Sequence, residues 1–121
     1  MRQLAIIIFV LTTIGCKSNS QVEDITELLK SNKPEDLING FYLIGEARDT
    51  SFLREIISNP YDPRVTNVLK FKGMSVYQSK MNALRKISNT NPPFKITYKP
   101  DSTIVNFYCK WVEMHSGIRC R

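Results

Sequence analysis

The sequence predicts an all-α domain of stacked antiparallel helix pairs, about two units, completed by a C-terminal capping helix and a short extended arm. Three observations predict it. Apolar residues recur at spacings of three and four in successive stretches, the signature of amphipathic helices. Each stretch ends in Pro, Asn or Gly punctuation, which stops a helix or begins the next. Strand-like alternation is confined to the neighbourhood of Phe94-Lys95-Ile96-Thr97-Tyr98 and the residues after it. At 121 residues, 42% hydrophobic and 23% charged, the chain has the length and composition of one globular domain.

The first residues do not belong to that domain. Arg2 precedes an apolar run, Leu4 to Leu11. A membrane-spanning helix needs about 20 residues, so the run is too short to cross and reads as the core of a secretory signal. Thr12-Thr13-Ile14-Gly15 then leads to Cys16. Gly15-Cys16 after such a leader resembles the lipobox of bacterial lipoproteins, although Thr13 stands where that family has a branched apolar residue. The resemblance implies cleavage before Cys16 and conversion of Cys16 to a diacylated cysteine. It also implies a membrane-anchored place in the bacterial cell envelope, periplasmic or surface-exposed. Residues 1–15 are then a signal peptide, 16–21 a lipidated tether, and 22–121 the helical domain.

Ile25, Leu28 and Leu29 place a helix over Val22 to Ser31, with acidic residues in its first turn. Asn32-Lys33-Pro34 stops it, and Pro34 suits the first turn of the next helix. That helix carries Leu37, Ile38, Phe41, Tyr42, Ile44 and Gly45, a set too broad for a surface helix, and is expected to be the most buried. Arg48-Asp49-Thr50-Ser51 provides a turn and a cap, and Leu53, Ile56 and Ile57 give the third helix its stripe. Asn59-Pro60-Tyr61-Asp62-Pro63 ends it.

A weak repeat follows. Leu28 to Asn32 matches Ile56 to Asn59, and Phe41 to Gly45 matches Leu84 to Ser88, provided an insertion sits around Arg64 to Val76. Internal similarity of this kind is how stacked helical pairs appear in sequence. Leu43-Ile44-Gly45-Glu46-Ala47-Arg48-Asp49, a helix, and then Asp62-Pro63-Arg64-Val65 resembles the HEAT-like repeats of bacteria. There the Asp of an Asp-Pro-x-Val junction caps a helix, a place matched by Asp62, Pro63 and Val65. The resemblance spans about residues 22 to 90 and implies two units, with the remainder acting as a cap.

Phe94 to Tyr98 reads as the arm, and Lys99-Pro100-Asp101-Ser102 starts a final helix. Ile104, Phe107, Tyr108, Trp111 and His115 share one face, with Ser116-Gly117 as the stop. Trp111 is therefore expected in the core. Val105, Phe107, Cys109 and Trp111 also alternate, so a hairpin with Phe94–Tyr98 competes. Glu113-Met114-His115 extends the helical period and favours the helix.

Charge is uneven. Residues 17–62 hold five Lys/Arg against nine Asp/Glu, and residues 63–121 hold eleven against two. Such polarity can orient a domain on an anionic membrane or an acidic partner, unless the halves cancel by packing together. Cys109 and Cys120 can close a disulfide in an oxidising compartment, or remain a half-buried thiol and a tail thiol. His115 is the only histidine, and Cys109, His115 and Cys120 match no standard zinc spacing, so no metal site is expected. No cofactor motif and no catalytic set appears. Glu46 and Asp49 sit at a helix end, where capping and solvation explain them. Nucleic acid is not an expected partner of an exported, anchored protein.

The stretch best suited to contact is Leu69 to Gln78, with Arg64 just ahead of it. Arg64, Lys70, Lys72, Met74 and Tyr77 are the candidate partner contacts, because inserted loops of repeat proteins project from one face. Alternatively Phe71, Met74 and Tyr77 fold inward and leave the lysines in water. Pro92-Pro93-Phe94-Lys95 is a second candidate surface, and the acidic Glu23, Asp24, Glu27 and Glu35 a third. The expected function is a protein-binding or inhibitory module held at the membrane. An envelope enzyme acting on cell-wall or glycan material is the alternative.

Overall fold

The structure is a computed structural model that describes residues 19–120. Cys16 and the leader lie outside the described residues. Among the described residues five helices follow one another: α1 Asn19–Lys30, α2 Pro34–Ala47, α3 Leu53–Ile57, α4 Val76–Ser88 and α5 Ser102–Ser116, with 3-10 turns at Thr50–Phe52 and Leu69–Phe71. The described residues contain no strand, and the one extended pairing is an isolated bridge between Val65 and Ser75.

Local chemistry sets the boundaries. No Pro or Gly interrupts residues 17–33, and α1 starts at Asn19, so part of the stretch read as a tether is helical. Pro34 opens α2, and Arg48 closes it in the left-handed conformation with its N–H on the Gly45 carbonyl. Asp49 accepts from the Ser51 N–H and hydroxyl, which turns the chain into α3. Ser75 caps α4 through the Gln78 N–H, and Asp101 caps α5 through the N–H groups of Thr103 and Ile104.

The core is one cluster in which α2 and α4 pack most extensively, with α1 against α2 and α5 against α4. Ser79 Oγ donates to the Ile38 carbonyl at 2.8 Å, and further along Gly45 faces Ala83 and Lys86, so α2 and α4 run in the same direction. Close approach explains the glycine: a Cβ at position 45 would stand 3.0 Å from the Ala83 Cα. The most enclosed helix is α4, with seven buried residues against five in α2. The breadth of α2's apolar face pointed to α2, but α4 is covered by α2, α3 and α5 together.

The hairpin alternative is excluded, because residues 102–116 are helical and the arm before them pairs with no strand. The face that α5 buries is Ile104, Val105, Tyr108 and Val112. Trp111 is corrected from core to flank: it is half-buried and stacks on the exposed His115 ring, centroids 4.4 Å apart. Val105 and Val112, seven apart, rotate the buried stripe away from it.

Candidate functional site: a basic and aromatic groove over α4

Most of α4 is inside the protein, and Gln78, Asn82 and Arg85 form the stripe that reaches its surface. The connection from α3 to α4 folds down on one side of that stripe. Phe71 is buried and packs on Tyr42 of α2, ring centroids 5.4 Å apart. The Lys70 ammonium lies 5.0 Å from the Tyr42 ring centre, and the Lys86 ammonium lies 4.9 Å from the same ring. One tyrosine thus gathers two cations, each attracted by the negative face of the ring. The arm after α4 forms the other side.

Two cavities result. One of about 120 Å³ is lined by Tyr42, Met74, Asn82, Arg85 and Lys86. The other, of about 450 Å³, is lined by Asn82, Arg85, Pro92, Phe94, Lys95 and Ile96. Asn82 and Arg85 line both, so the cavities adjoin on α4, and together they are termed the groove. Arg85, Lys86 and Lys95 line it, and Lys70 sits over Tyr42 at its edge. From Pro63 to Pro100 the chain has no Asp or Glu at all. The carboxylate that meets these cations is Glu46, which accepts from Lys86 and is thereby held below the usual carboxylate range. Such a groove suits an extended acidic ligand: aromatic walls supply contact area and dispersed cations supply charge complementarity.

The five candidate contacts separate. Lys70 and Met74 border the groove, while Lys72 is exposed in the same loop. Arg64 is a structural latch. Its Nε and Nη2 donate to the Asp62 carboxylate at 3.0 and 2.7 Å, and Nη1 donates to the Asn32 carbonyl at 2.8 Å, tying the insertion to the α1–α2 turn. That hydrogen bonding holds the Asp62 carboxyl below its usual range. Tyr77 is corrected outright: its side chain is 0% exposed and belongs to the core, so it contacts no partner. The inward alternative holds for Phe71, which packs the loop onto Tyr42 of α2, and for Tyr77, which the first turn of α4 carries into the core. Tyr42, Arg85 and Lys86 were missed. Arg85-Lys86 on α4 was the available signal, but adjacency in sequence does not reveal that the α3–α4 loop brings Lys70 to the same ring.

Elsewhere, Cys109 and Cys120 are joined as a disulfide with Cα atoms 5.8 Å apart. Among the described residues no group of three or more His, Cys, Asp or Glu converges as a metal-binding set. No described helix is long and apolar enough to cross a membrane. No protein-family model, curated protein or solved structure matches this chain.

Lys80 lies away from the groove and has a titration of its own. It is 5% exposed, donates to the Ser58 and Asn59 carbonyls after α3, and rests 5.0 Å from the Phe41 ring centre. Burial pushes its ammonium from 10.5 down to about 8, with Asp62 opposing and Arg64 reinforcing the shift. Between those values the unfolded chain binds more protons than the folded one, so stability rises with pH there. Thermal melts across this window should show wild type gaining stability relative to Lys80→Met. Parallel curves for the two proteins would contradict it.

Proposed function

We propose that the chain is a membrane-anchored envelope lipoprotein whose helical domain captures, and by capture inhibits or recruits, a protein partner presenting an acidic segment. The carrying observation is the convergence of Lys70, Arg85, Lys86 and Lys95 with Tyr42 and Phe94 on one groove, in a stretch of chain without carboxylates. Anchoring rests on the leader and on Gly15-Cys16. The HEAT-like arrangement has α1 paired antiparallel with α2 and α3 with α4, and α5 caps the second unit. The common direction of α2 and α4 supports it, since equivalent helices of stacked pairs run alike. The Asp62-Pro63-Arg64-Val65 junction does not, because it begins no helix: Val65 bridges to Ser75 and α4 starts at Val76.

The enzymatic alternative would need Glu46 or Asp49 free to move protons. Each is already engaged, Glu46 by Lys86 and Asp49 by Ser51. That leaves recognition as the better reading.

The test is the triple replacement Lys70→Ser, Arg85→Ser, Lys95→Ser. Each surface change should cost no more than about 0.5 kcal/mol, so helical circular dichroism and melting should be nearly unchanged. Capture of the wild-type partner from envelope extracts should fall by about tenfold or more, and the remaining binding should lose its salt sensitivity. Equal capture at equal salt would refute the groove as the docking site.

A further inference from the structure

Outside the groove, seven large apolar side chains of the described residues are exposed; Val22, Tyr61 and Met114 stand apart, and the other four lie in two adjoining loops. Val65 and Val68 are each 47% exposed, Leu69 is 89% exposed and Tyr98 is 52% exposed. The loop that carries the first three is well ordered by its own bonds. Thr66 N–H donates to the Met74 carbonyl at 3.1 Å, Gly73 N–H to the Thr66 carbonyl at 3.0 Å, and Met74 N–H to the Phe71 carbonyl at 2.9 Å. Phe71 pins the loop from below by packing on Tyr42. The apolar tip is therefore held out in solvent by the fold, with Thr66 and Phe71 turned in and Val68 and Leu69 turned out.

Ser75 brings the second loop alongside. It bridges to Val65, and its hydroxyl donates to the Tyr98 carbonyl at 2.6 Å. Tyr98 is followed by Lys99, whose ammonium sits 5.9 Å from the Tyr98 ring centre, and Lys72 follows Leu69 by three residues. Both lysines are exposed.

We propose that Val65, Val68, Leu69 and Tyr98, with Lys72 and Lys99, dock the folded domain onto an anionic lipid surface. Charge complementarity selects the occupant. Two cations flank an apolar tip with no carboxylate between Pro63 and Pro100, and juxtamembrane lysines are drawn to anionic headgroups in this way. The shape points the same way. Leu69 projects from the loop rather than lining a cavity, and the space beside Gly73 is open. Aliphatic tips can enter the headgroup–acyl boundary while a tyrosine settles at headgroup level and lysines reach lipid phosphates. The docking needs no acyl chain and uses none of Arg85, Lys86 and Lys95, so it stands whether or not Cys16 is lipidated and whether or not the groove binds a partner.

The reporter is a single tryptophan. In the full chain carrying Trp111→Phe, Leu69→Trp makes residue 69 the sole tryptophan, and Met114→Trp serves as the control from exposed α5. Each is mixed with vesicles of bromine-labelled phosphatidylcholine, with or without about 30% phosphatidylglycerol. The residue 69 emission should shift to the blue and be quenched by about twofold or more in the anionic vesicles, the control staying as in water. Adding Lys72→Ser and Lys99→Ser should remove the quenching. A water-like residue 69 in anionic vesicles would overturn the proposal, as would equal quenching in neutral vesicles or in the lysine variant. Partner capture should be unaltered by Lys99→Ser, a change outside the groove and outside the Leu69–Gln78 stretch, which keeps this result separate from the groove test.

Discussion

Tyr108→Ala is expected to lower stability by about 3 to 5 kcal/mol, the cost of removing a large, fully enclosed aromatic whose site cannot collapse. Tyr108 is 0% exposed and belongs to the face of α5 that meets the core, beside Ile104 and Val112. Phe107 meets its ring edge-on at 5.1 Å. Its hydroxyl also donates to the Thr90 carbonyl at 2.9 Å, fastening α5 to the chain just beyond α4. Tyr108→Phe should therefore lose only about 1 kcal/mol, the net worth of one hydrogen bond. Denaturant titration of both variants separates ring from hydroxyl. A small effect of the alanine would mean that α5 contributes little to the core.

Removal of the Cys109–Cys120 bridge should cost about 3 kcal/mol, since the link constrains the unfolded chain across eleven positions. The bridge ties the last residues back onto α5, and the Cys120 N–H also donates to the Glu113 carboxylate at 3.1 Å. Reduction by dithiothreitol, or Cys109→Ser with Cys120→Ser, should lower the melting temperature and speed hydrogen exchange in residues 117–120. Helical content should persist, because α5 ends at Ser116 and is held by core contacts of its own. Intact mass under non-denaturing alkylation gives the direct check. Two free thiols in the folded protein would contradict the bridge.

Periodicity identified what depends on nearest neighbours. The spacing of Ile25, Leu28 and Leu29, Pro34 at a helix start, the Asp49 turn and the Asp101 cap were all legible, because each acts within a few residues of itself. The stripe of α5 was legible less well. Trp111 and Val112 are adjacent and both apolar, and only the position of α4 decides which of them faces inward.

The stretch from Arg64 to Tyr77 marks the same division. Its basic and aromatic composition set it apart as an insertion, yet composition treats Arg64, Lys70 and Tyr77 alike. Packing sends Tyr77 to the core, closes Arg64 on Asp62 and Asn32, and lays Lys70 over Tyr42, nearly thirty positions back in the chain. By itself the sequence determined a mainly helical domain, the starts of α2 and α5, the turn into α3, and a basic second half. The direction in which α2 and α4 run, the burial of Lys80 and the placing of two cavities on either side of Asn82 and Arg85 were decided by the tertiary structure alone. The physical reason is that these features are contacts between residues far apart in the chain, and their energies depend on which helix faces meet rather than on local spacing.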